Sequence, residues 1–113
     1  MRRVLSLFVL LVVLATTHTQ AQHVTTYEQI TVADTAIGIT AAITAGMSAC
    51  GVRLETAQVR WRIDAAPTAS VGTLLEVGDT LLITRIEEAR RVTFIRTGGT
   101  SGLLNAWCWS ASQ

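Results

Sequence analysis

Few residues in this 113-residue chain could carry out chemistry, and they are poorly placed to converge. The two histidines are His18 and His23, and the two cysteines are Cys50 and Cys108. His18 falls inside a leader-like segment described below. Any Ser-His-Asp or Cys-His arrangement would therefore hang on His23, near a chain end, where backbones are seldom held rigidly. Two thiols and one imidazole fall short of the four ligands of an ordinary structural zinc site. The adjacent carboxylates Glu87 and Glu88 sit on a polar corner, while Asp64 and Asp79 occupy turn positions where Asp bonds its own backbone. No D-x-D-x-D-G run offers a calcium loop. The glycine-rich "GGTSG" (98–102) lies between strand-like stretches and does not open a helix, so it lacks the amide cradle of a phosphate loop. The expectation is a protein that is not an enzyme, with no cofactor and no metal.

Binding is the other chemistry on offer. "ETAQVRWRID" (55–64) sets Trp61 between Arg60 and Arg62, which resembles a basic aromatic strip for single-stranded nucleic acid. Alternation argues against it. In an extended strand Val59, Trp61 and Ile63 face one way and Arg60, Arg62 and Asp64 the other, so ring and cations cannot share one base. The overall charge agrees. Without residues 1–21 the chain keeps seven arginines against eight acids, a net charge of −1, and no basic field for a polyanion. No nucleic-acid partner is expected. In "LLNAWCWS" (103–110) the same alternation puts Leu104, Ala106 and Cys108 on one face and Trp107 and Trp109 on the other. If the small-residue face is buried, the two tryptophans point outward, where they suit a protein interface or sugar stacking. Trp107, Trp109, Arg60 and Arg62 are the candidate interface residues.

The elements that position these residues follow from the breaks. "MRRVLSLFVLLVVLATTHTQA" (1–21) has a basic start, an apolar run and small residues Thr19 and Ala21 before a cut, the layout of a secretory signal peptide. An uncleaved anchor, a virion-specific arm or a start codon placed too far upstream would read alike. Membrane contact, if any, comes only through this leader. Residues 22–113 then form a single domain. Strands are predicted at 27–32, 49–56, 58–64, in two short pieces around Val77-Gly78-Asp79, at 92–97 and at 103–110. Residues 33–48 read as irregular with a short helix around Thr40–Ala45, and 86–91 as one helical turn. Pro67 ends the 58–64 strand. Short strands at this rhythm predict an all-β fold, a small antiparallel β-sandwich of jelly-roll or Ig-like type. Burying the small-residue face of the last strand puts Cys108 inward, as Cys50 is in its own strand. The two then form either a disulfide, if their strands are neighbours, or two buried thiols.

"VRLETAQVRWRIDAAPTASVGTLLEVGDTLLI" followed by "VTFIRTGGTSGLLNAWCW" resembles a type of small structural protein of tailed bacteriophages. The shared pattern runs E-T-A-x-[IV]-R-[FWY]-R-x-D, then P-T-x-x-x-G-x-x-L-x-x-G-D, then I-R-T-G-x-T-S-G. Here it falls on Glu55–Asp64, Pro67–Asp79 and Ile95–Gly102, and "TAIGIT" (35–40) resembles its earlier part. The Asp-Gly turn of that pattern reads Asp64-Ala65 here. The resemblance implies a non-enzymatic virion β-sandwich of the head-decoration, head–tail or fibre-associated kind. It would bind capsid or tail subunits in several copies, as a homo-oligomer or multi-copy array, and be located in the virion. The alternative is an exported bacterial β-sandwich, secreted or periplasmic after cleavage, that binds a carbohydrate or cell-surface partner.

Overall fold

The computed structural model describes residues 25–110. The leader at 1–21 and His23 lie outside them. Within the described residues, eight strands are joined by short connections and two brief helices. They are β1 (Thr25–Val32), β2 (Ile37–Gly38), α1 (Ala41–Thr44), β3 (Ala49–Thr56), β4 (Val59–Arg62), β5 (Thr73–Leu75), β6 (Thr80–Ile83), α2 (Ile86–Arg91), β7 (Thr93–Arg96) and β8 (Gly102–Trp109).

The strands form two antiparallel sheets of four, in the orders β1-β8-β3-β6 and β2-β7-β4-β5. The order has a simple logic: β1 pairs with β8, β2 with β7, β3 with β6 and β4 with β5. The chain is thus one long nested ribbon whose successive rungs alternate between the two sheets. Further pairing of β3 with β8 and of β4 with β7 closes each sheet.

Alternation in the sequence dictates which face is dry. In β8 every second residue is buried, with Gly102, Leu104, Ala106 and Cys108 inward. In β3 the inward set is Cys50, Val52 and Leu54. These side chains meet Val59, Leu75 and Phe94 from the second sheet in one core, joined by Ala89 of α2 and by Val92 just after it. Fully burying such side chains is worth about 1.5–3 kcal/mol each for the larger ones. Cys50 and Cys108 lie opposite one another on β3 and β8, with Cα atoms 4.0 Å apart, and are joined as a disulfide.

Two local devices make the crossings between sheets. At the end of β3, Leu54 and Thr56 pair with successive residues of β8, so Glu55 is the extra residue of a bulge. A bulge bends its strand, and here it turns the chain through Ala57 and Gln58 into β4 of the other sheet. Ala57 takes a left-handed φ of 55° in that turn. Between β5 and β6, a four-residue turn closes with a bond from Asp79 N to Glu76 O, while Asp79 Oδ2 accepts from Glu76 N at 2.9 Å. The 33–48 segment docks on β1. Glu28 accepts both the backbone N–H and the hydroxyl of Thr40, and Thr26 donates to Ile43 O. The predicted short helix and polar helical turn correspond to α1 and α2.

Candidate binding surfaces

The four candidate interface residues do not come together. Trp107 and Trp109 lie on the outer face of the first sheet, whereas Arg60 and Arg62 lie on the outward phase of β4 in the second. The shared core separates the two faces.

On the first sheet, the registers place Tyr27, Trp107, Gly51 and Leu82 in one row across β1, β8, β3 and β6. Gly51 has no side chain, and the indole of Trp107 fills the space above it. A Cβ added at Gly51 would stand 2.5 Å from Trp107 Cζ2 and 3.1 Å from Leu82 Cδ2. The ring therefore lies down over the neighbouring strand, which explains why Trp107 is outward yet only partly exposed. Trp109 is likewise half-buried, flanked by Thr25 and Ala49. The row ends in well-exposed apolar residues, Tyr27 at 59% and Leu82 at 60%. Beside it runs a polar network: Tyr27 Oη donates to Asn105 Oδ1 at 2.6 Å, and Asn105 Nδ2 donates to Glu55 Oε1 at 2.5 Å.

The arginines of β4 have other work. Arg60 donates from Nε to Ala69 O at 3.1 Å and from Nη1 to Gly72 O at 2.7 Å, so it fastens the 65–72 connection to the sheet. That connection is further shaped by Thr68, whose hydroxyl accepts from Ser70 N and Val71 N, and by Pro67, which is buried. Arg62 makes a two-pronged pair with Asp64, at 3.0 and 2.7 Å. Hydrogen bonding from that guanidinium, ahead of any other cause, holds the Asp64 carboxyl below its ordinary range. The strand predicted to continue through Asp64 ends at Arg62, and of its apolar face only Val59 is fully buried. Trp61 and Ile63 pack against the core while remaining partly exposed.

The partial exposure of Trp61 has a structural cause. A groove of about 520 Å³ opens where β4 ends, between the start of β5 and α2. Trp61, Ile63 and Val71 supply its apolar surface, and Arg62, Asp64, Glu88 and Arg91 its charged edge. Sequence reasoning missed Val71, Glu88 and Arg91 in this role. Glu88 and Arg91 stand three apart on one helical face, but nothing local indicates that this face meets β4. A second hollow of about 360 Å³ lies by α1, lined by Ile39, Ala41, Thr44, Ala45 and Arg90. Among the described residues no group of three or more His, Cys, Asp or Glu side chains is gathered to hold a metal ion.

No family model, curated protein or solved structure matches the chain. The residues that carry the sequence resemblance largely build joints of the fold. Ala57 makes the left-handed turn, Arg60 holds the following connection, and Asp79 closes the turn into β6. Gly102 passes close beneath the β3–β4 turn, where a Cβ would meet Val59 Cγ1 at 2.6 Å and Ala57 O at 3.0 Å.

Proposed function

We propose that this chain is a non-enzymatic structural protein of a tailed-bacteriophage virion, which binds capsid or tail subunits in several copies. The observation that carries an assembly role is the outward apolar row Tyr27–Trp107–Leu82 on the first sheet. Aromatic side chains on a flat, rigid sheet are typical centres of protein contacts. The finer fold assignment is a jelly-roll β-sandwich. Its support is the nested strand order, β1-β8-β3-β6 against β2-β7-β4-β5, an architecture used by viral capsid domains among others. Fold alone does not specify a partner, so the role rests on the exposed row and on the resemblance at Glu55–Asp64 and Ile95–Gly102. Mass spectrometry of purified particles tests it. Peptides from residues 25–110 should be present at many copies per particle, and Trp107→Ala or Leu82→Asp should deplete them. Particles that lack the protein entirely would overturn the role.

One observation favours the second reading, an exported bacterial β-sandwich. The Cys50–Cys108 bond supports this reading, because disulfides persist best in oxidising surroundings such as the periplasm or the cell exterior. An exported form would meet a carbohydrate or cell-surface partner. Fractionation of producing cells separates the two, because the exported form accumulates disulfide-bonded outside the cytoplasm in cells that assemble no particles.

A further inference from the structure

We propose that the groove at the end of β4 is a binding site for a neutral saccharide. It stands apart from the assembly face on the first sheet and does not depend on it.

The groove combines a size, a surface and a charge balance that suit such a ligand. Its volume, about 520 Å³, lies within the range of small-ligand clefts. Trp61 packs against the core, with Phe94 and Thr73 beside it on the two neighbouring strands, and yet it lines the opening. A braced indole gives a flat apolar surface at little entropic cost, and the C–H face of a pyranose ring has the shape and polarity to lie on it. Val71, half exposed at 50%, widens that apolar surface.

The edge supplies hydrogen-bonding groups of both kinds. Asp64 and Glu88 accept, while Arg62 and Arg91 donate. Adjacent sugar hydroxyls can each donate and accept, so mixed carboxylate and guanidinium partners match them. The four charges sum to zero, which disfavours a strongly anionic or cationic ligand. Arg62 and Asp64 fix one another through two bonds, presenting a pre-oriented pair with no need to reorganise on binding. Arg91 is exposed on the opposite wall, where it can close on a ligand.

The test is a titration of the full-length, disulfide-bonded chain, followed by NMR. The probes are cellohexaose, laminarihexaose, maltohexaose and chitohexaose (N-acetylated), with polygalacturonate as the anionic comparison. At least one neutral glycan should shift the Trp61 indole N–H and the Gly72 and Thr73 amides in a saturable way. Arg91→Ala and Glu88→Gln, both at the edge, should each weaken that binding by roughly tenfold while leaving the melting temperature unchanged. Trp61→Phe keeps an aromatic ring in the core and should weaken it as well. The proposal fails if no neutral glycan shifts the Trp61 signals at millimolar concentration, or if only polygalacturonate binds. It also fails if the shifts fall on Trp107 and Trp109 and spare Trp61.

Discussion

At the scale of single residues, two glycines show how absent side chains organise this protein. Gly51 leaves room for the Trp107 indole on the outer face, and Gly102 lets β8 begin directly against the β3–β4 turn. The obstacles differ in kind. At Gly51 the crowding comes from side chains, Trp107 and Leu82, which can rotate away. At Gly102 it comes from Val59 in the core and from the carbonyls of Thr56 and Ala57, which cannot. Gly102→Ala is therefore expected to destabilise more than Gly51→Ala, by about 1–3 kcal/mol as for other overpacked core sites. Gly51→Ala should instead change the tryptophan fluorescence, as the indole lifts into solvent. Urea denaturation and emission spectra of the two variants check the ordering, and equal stability losses would contradict it.

The two arginines of β4 look equivalent in sequence and differ at the scale of the element. Arg60 joins a strand to a loop through two backbone carbonyls. Its replacement by Ala should release residues 65–72 and speed amide exchange at Val71. The stability loss should be about 1–3 kcal/mol, the usual effect of removing a charged hydrogen-bond partner. Arg62 meets an exposed carboxylate two residues on, and Arg62→Ala should leave exchange in that loop unchanged. Its effect is on titration. The folded Asp64 carboxyl lies below the ordinary value of 3.8, so the pair stabilises the fold above that pH. The contribution is lost as pH falls through the lower, folded value. NMR titration should show Asp64 returning toward 3.8 in the Arg62→Ala variant; an unchanged midpoint would assign the shift to the backbone instead.

The disulfide acts at the scale of the whole molecule. It ties β3 to β8 across a separation of 58 residues, a span that includes α2 and three of the four strands of the second sheet. Chain-entropy reasoning gives about 4 kcal/mol for a loop of that length, and measured values for native bridges are typically 2–4 kcal/mol. For so small a domain that is a large share of the usual total. Reduction, or the double variant Cys50→Ala/Cys108→Ala, should lower the urea midpoint by a corresponding amount. Coincident oxidised and reduced unfolding curves would show that the strand pairing already supplies the constraint.

Much of this architecture was legible in the chain, because a strand's two faces are written in its alternation. The inward set Cys50, Val52, Leu54 follows from period two. So does the grouping of Trp107 with Trp109 opposite Cys108, although alternation left open which of those two faces is dry. At the end of β4 the expected separation of ring and cation fails, because the strand stops at Arg62 and Trp61, Arg62, Ile63 and Asp64 line one groove. Turn residues marked the breaks at Pro67 and Asp79. Other features depended on which distant segments become neighbours. Nothing local says that β3 lies beside β8, so alternation left the cysteines as either a bridge or two thiols. Nor does it show that Gly51 sits beneath Trp107, that Arg60 reaches the Ala69 and Gly72 carbonyls, or that α2 brings Glu88 and Arg91 to the end of β4. By itself the sequence determined which residues share a face of each strand, since alternation is a property of one strand alone. Tertiary structure alone decided which faces and edges meet, and the groove exists only in that meeting.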